Sequence, residues 1–139
     1  MRQQQDSLEV RTTGPGLYEV TSRLHRWVSS TGLRVGLLTL FCRHTSASLL
    51  IQENADPDVA RDLSHYFAEI APEDPMRYRH TTEGPDDMPA HLRAALTQTH
   101  LAIPIVAGEL ALGTWQGVYL FEHRRLPHRR EILLHANGE

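Results

Sequence analysis

Two histidines and three carboxylates fall within the fourteen residues from Tyr78 to His91, which read YRHTTEGPDDMPAH. Imidazole nitrogens and carboxylate oxygens are donors that divalent cations take, and histidine also changes charge near neutral pH. His80 and His91, with Asp86 and Asp87 between them, therefore form a candidate metal site. Met88-Pro89 reads as a helix start and puts His91 in the first turn, where free backbone N–H groups favour a phosphate or carboxylate beside the metal. The same string has a purely structural reading, in which Asp87 caps the helix and both histidines lie on the surface. H-x10-H is no established ligand pattern, so spacing leaves both readings open.

Three further groups carry chemistry. His44 stands between two apolar runs, and Gln52-Glu53-Asn54 closes the second of them. Such amides and acids bind ligand hydroxyls or a metal-bound water, or simply form a turn before a helix. In GTWQGVYLFEHR, residues 113–124, glycines on both sides of Trp115-Gln116 allow close backbone approach. Period-two alternation puts Gln116 and Glu122 on one strand face, where they could share a polar pocket. Trp115, Tyr119 and Phe121 are expected to pack inside. The segment HRRLPHRR, ending in Arg129 and Arg130, is a local basic cluster that could meet a phosphate. No phosphate-cradling glycine loop, nucleophile elbow, CxxC or HExxH occurs.

These groups need elements to hold them. Residues 8–12 alternate as a half-buried strand, and Gly14-Pro15-Gly16 breaks the chain before a helix expected over 18–29. The apolar runs 33–42 and 46–51 read as buried strands. Asp56-Pro57 opens a second helix that ends before Pro72, and a third begins at Met88-Pro89. Residues 101–106 alternate, Gly108-Glu109 turns the chain, and strands follow over 110–112, 115–123 and 130–135. The order predicts an α+β fold with mainly antiparallel pairing.

At 139 residues the chain predicts one domain with a sizeable core. A net charge of −3 without a long basic run gives no support to nucleic-acid binding. The single cysteine, Cys42, reads as a small buried hydrophobe and fits a reducing compartment. No leader-like or membrane-length apolar stretch is seen, so a soluble, cytoplasmic protein is expected.

HTSASLLIQENADPDV (44–59), YRHTTEGPDDMPAH (78–91) and LALGTWQGVYLFEHR (110–124) together resemble the YjbQ-like family. Its members are small bacterial and archaeal proteins described as secondary thiamine-phosphate synthases. The likeness runs in order from about Leu8 to Gly138 without large insertions. It implies one α+β domain over 1–139, an antiparallel β-sandwich or barrel-like sheet with two to three helices, and a homotrimer. It also implies a divalent metal, zinc or magnesium, on His44, His80 and His91, with Glu53, Glu122 and Asp86 in catalytic roles. Gln52, Asn54, Thr114, Gln116, Arg129 and Arg130 would contact a phosphorylated small molecule. Many members carry Asp-Asn where this chain has Asp86-Asp87, and a glycine-containing turn where it has Arg125-Leu126-Pro127-His128. The implied reaction joins a hydroxymethylpyrimidine diphosphate to a thiazole phosphate and releases pyrophosphate. The alternatives are a non-catalytic metal- or metabolite-binding trimer and a metal-dependent hydrolase.

Overall fold

One of the two longest strands begins where the sequence carries no apolar residue at all. In the computed structural model, which spans Met1–Glu139, β1 runs over Arg2–Thr12 and pairs antiparallel with the final strand along its whole length. Alternation predicts only residues 8–12, because side chains reveal burial and only Leu8, Val10 and Thr12 turn inward. The first half of β1 is a strand for a backbone reason, its register with the partner from Arg2 opposite Gly138 onward.

The remaining elements are β2 (Gly16–Glu19), α1 (Thr21–Thr31), β3 (Val35–Cys42), β4 (Ala47–Glu53), α2 (Pro57–Ile70), α3 (Asp87–Leu96), β5 (His100–Val106), β6 (Glu109–Leu110), β7 (Gln116–Glu122) and β8 (His128–Gly138). They form a five-stranded sheet in the order β1-β8-β3-β5-β6 and a three-stranded sheet β2-β7-β4, every pair antiparallel. The facing sides share one cluster of 20 buried residues, among them Leu24, Leu38, Leu49, Leu120 and Ile132. α1 packs against β6 and β7, while α2 and α3 lie on β2 and β4. This is the expected α+β fold with antiparallel sheets and three helices. No helix is long and apolar enough to cross a membrane.

Three local expectations need correction. Residues 18 and 19 are strand rather than helix, because Gly16–Glu19 pairs with β7 from Gly16 opposite Glu122 to Glu19 opposite Tyr119. The helix follows at Thr21 and closes at Gly32, whose φ of 72° suits a residue without a Cβ. The tight turn sits one residue earlier than expected, on Ala107 and Gly108 with φ of 53° and 86°. Both central residues at positive φ match the twist of a two-residue hairpin between Val106 and Glu109. Trp115 lies outside the core at 63% exposure, because β7 starts only at Gln116. Tyr119 and Phe121 are buried as expected, and Phe121 meets Phe67 of α2 edge-to-face with centroids 5.4 Å apart. Asp56 caps α2 as expected, accepting from the Asp58 N–H at 2.9 Å. Cys42 is 2% exposed, and burial pushes its thiol up.

Candidate metal centre

Two turns position the residues between α2 and α3. Asp74 caps a single 3-10 turn at Pro75–Arg77, and the Tyr78 hydroxyl ties the loop down by donating to the Pro72 carbonyl at 2.8 Å. Gly84, at φ 99°, then swings the chain into α3. The helix starts at Asp87, one residue before the expected Met88-Pro89, so Asp87 and His91 stand one turn apart on the same face. His80 approaches them from the loop.

One donor atom from each of His80, Glu83, Asp87 and His91 lies within 4.8 Å of the other three. Asp87 Oδ2 is the hub, 2.6 Å from His80 Nε2 and 3.0 Å from His91 Nε2. Glu83 Oε2 lies 3.2 Å from His80 Nε2. Asp87 therefore does not cap the helix. Its side chain is 3% exposed and turned into the group. Its other oxygen accepts from Arg124 Nη1 at 2.5 Å, and the same guanidinium donates through Nε to Asp86 at 2.9 Å. Asp86 also accepts from the Arg125 N–H at 3.0 Å, so both its partners hold it in place beneath the group.

The charges follow from these contacts. The Asp87 hydrogen bond raises the His80 imidazole above the ordinary histidine range. Burial alone would raise the Asp87 carboxyl, but its hydrogen bond with His80 and the charges of His91 and Arg124 hold it below the usual carboxylate range. Burial likewise opposes ionisation of Asp86, and Arg124 with the Arg125 N–H outweighs it.

The donor set fits a divalent cation. His91 Nδ1 lies 2.9 Å from the Thr45 carbonyl, which can only accept, so Nδ1 carries the hydrogen. His91 Nε2 then points at Asp87 Oδ2, and two electron-pair donors facing each other need a positive species between them, a proton or a metal. An imidazole fixed by a backbone carbonyl through its far nitrogen is the usual support of a metal-ligating histidine. Two nitrogens and two carboxylate oxygens suit zinc or a similar transition metal better than magnesium, which prefers oxygen alone.

His44 stands apart from this group. Its Nε2 accepts from the Glu131 N–H at 2.8 Å, and burial with the Arg130 charge lowers its basicity. Glu122 and Arg130 are also committed elsewhere. They form a buried ion pair joined by Thr12 and Ser46, in which Arg130 Nε donates to Glu122 Oε1 at 2.8 Å. Arg129 lies outside on Glu9 at 2.8 Å. Gln116 and Glu122 share no pocket. The six-residue offset along β7 separates them by roughly 20 Å; Gln116 is exposed and accepts from the Gly113 N–H at 2.8 Å, whereas Glu122 is fully buried. Gln52, Glu53, Asn54, exposed Thr114 and Gln116 gather at that far end of β4 and β7, where Glu53 pairs with Gln116.

Reading the residues alone missed two members of the group. Glu83 sits three positions after His80 in the same string, a signal that was available. Arg124 had none beyond its place in a basic segment, because only the fold carries the end of β7 to the head of α3.

Comparison with known proteins bears on this site. A family model described as UPF0047 protein YjbQ-like matches residues 6–139. A UPF0047 protein of Synechocystis sp. is 57% identical over 138 residues, covering 99% of this chain and 94% of the relative. The UPF0047 protein YjbQ of Escherichia coli O157:H7 is 38% identical over 136 residues, covering 97% and 98%. The crystal structure of an uncharacterized conserved protein of the YjbQ/UPF0047 family from Clostridium acetobutylicum superposes with a TM-score of 0.85 at 33% identity, covering 93% of this chain and 97% of that one.

Proposed function

Because the chain belongs to the YjbQ-like UPF0047 family, we propose that it is a metal-dependent enzyme acting on a phosphorylated small molecule, with the cation held by His80, Asp87 and His91 and backed by Glu83. The observation that carries this reading is the His91 ring, whose Nδ1–H is fixed on the Thr45 carbonyl while Nε2 faces the buried Asp87 carboxylate. The reaction is the thiamine phosphate-forming transfer named by the resemblance. Bound there, a divalent cation would supply charge stabilisation for the leaving pyrophosphate.

The chain's own residues do the rest. Arg124 holds Asp86 and Asp87 at one angle, so the hub oxygen stays aimed at the histidines. Glu83, whose side chain is 64% exposed, is the ligand able to move aside for substrate. The Glu122–Arg130 pair anchors the strand end behind Arg124, a positioning role rather than one of proton transfer. The working assembly is a homotrimer, supported by the apolar outer face of the five-stranded sheet, where Val35, Leu37, Phe41, Val106 and Leu133 are exposed.

Metal analysis of protein purified without added metal, beside His80→Ala, Asp87→Asn and His91→Ala, tests the centre. Each substitution is expected to lower bound metal by tenfold or more, as loss of one of few ligands does. Unchanged metal in all three would sink the assignment. Incubation with the two thiamine phosphate precursors tests the reaction; metal-loaded protein that yields no product removes the transferase and leaves the centre standing.

A further inference from the structure

A cleft between α1 and the β5–β6 hairpin shares no residue with the metal centre. It is lined by His25, Arg26, Ser29, Gly108 and Glu109, none of them apolar, and has a volume of about 380 Å³. The fold sets its walls. His25 and Ser29 stand one turn apart on α1 with Arg26 beside them, and α1 packs against β6, which carries Glu109. Arg34 flanks the cleft at the start of β3. Its N–H donates to the Glu139 carbonyl at 2.6 Å and its own carbonyl accepts from the Gly108 N–H at 2.9 Å. The guanidinium rests on bare Gly108, where a Cβ would lie 3.1 Å from Nη1.

The charges around this cleft are unspent. The chain has no lysine. Every arginine pairs with a carboxylate or donates to a backbone carbonyl except Arg26, Arg34, Arg77 and Arg79. Arg77 and Arg79 belong to the loop before the metal centre, and the other two meet here. Glu109 lines the same space and forms an ion pair with neither of them. Two guanidiniums and one carboxylate therefore surround a common volume without neutralising one another.

We propose that this cleft binds an aminoalkyl phosphate, a phosphate monoester with an ammonium group at its far end. Arg26 and Arg34 donate to the phosphate oxygens in charge-assisted hydrogen bonds, His25 and the Ser29 hydroxyl add further donors, and Glu109 accepts from the ammonium. A ligand with only negative charge would meet Glu109 as a like charge, and one with only positive charge would meet both guanidiniums, so the occupant carries both signs. A monoester bears roughly two negative charges at neutral pH, which suits two guanidiniums. The lining offers nothing to an acyl chain or a ring face. The assignment stands independently of the metal centre.

Calorimetric titration of the full chain at low salt with phosphoethanolamine, inorganic phosphate and ethanolamine tests the site. Phosphoethanolamine is expected to bind about tenfold more tightly than either half. Arg26→Gln and Arg34→Gln each weaken phosphoethanolamine and phosphate alike, by about tenfold. Glu109→Gln weakens phosphoethanolamine severalfold and leaves phosphate no weaker, which closes the gap between the two. All three side chains are exposed, so these variants keep the fold. Equal binding of phosphoethanolamine and phosphate, or a preference that survives Glu109→Gln, overturns the proposal. His80→Ala should change none of these affinities; binding lost in that variant would put the probe at the metal centre and overturn it as well. Vesicles of phosphatidylethanolamine, whose phosphate is a diester with a single charge, should carry no protein down on sedimentation, and protein that sediments with them overturns the monoester.

Discussion

His123 is the most consequential residue that lies outside both sites. It is 1% exposed, its Nε2 bonds Ser48 Oγ at 2.9 Å, and its Nδ1 has no partner. Burial, with the nearby Arg93 charge, depresses the imidazole to about 3. The sign follows directly. Between that value and the unfolded value of about 6.5, the unfolded chain binds one more proton than the folded one, so stability rises with pH. The slope approaches roughly 1.4 kcal/mol per unit. Urea unfolding between about pH 5 and 6.5 should therefore show a shallower dependence for His123→Gln than for the wild type, by close to one proton; parallel curves would mean the folded histidine is not held neutral. Arg124 gives a second prediction. Arg124→Met leaves Asp86 and Asp87, with side chains only 11% and 3% exposed, without their guanidinium. Stability should fall by about 3–5 kcal/mol. Added zinc should return part of it only while His80 and His91 remain, which thermal unfolding with and without zinc would read.

Among the elements, α2 and α3 differ in how firmly they are held. α3 buries Asp87, Pro89, Ala90 and Ala94, and Arg93 ties it to the Ala71 carbonyl at 2.7 Å. α2 has no fully buried residue and rests on the outer sheet face largely through Phe67. Hydrogen exchange should therefore open α2 before α3, and both well before β3 and β8 in the middle of the five-stranded sheet. Asp56→Ala removes the cap of the weaker helix, at a cost of about 1 kcal/mol. The exchange rates of α2 should rise while those of α3 stay unchanged; equal acceleration of both would show that the two helices open as one unit.

At the scale of the whole molecule, the outer face of the five-stranded sheet carries a row of exposed apolar side chains. Val35 is 68% exposed, Val106 59% and Phe41 48%, an apolar surface that a second copy can cover. On the proposed trimer, light scattering should give three chains per particle, and Phe41→Glu should dissociate it by burying a charge. A wild-type monomer would remove the trimer and leave each site described above within one chain.

The core strands and the capped start of α2 were legible in the sequence, because local rules govern them. Apolar runs bury, and Asp56-Pro57 starts a helix wherever it stands, whereas the meeting of His80 with His91 was left open by spacing and follows from the turn at Gly84 and the start of α3 at Asp87. The strand character of residues 2–6 was not legible, since it comes from backbone pairing with β8 and leaves no mark on side chains. Nor was the turning of Asp87 away from the helix end, which depends on Arg124 arriving from the end of β7. His44, Glu122 and Arg130 looked available by type and motif, and only the packed structure shows Nε2 of His44 and the Glu122–Arg130 pair already engaged. Residue type and spacing name the groups able to do chemistry; long-range pairing decides which of them still have an atom free to do it.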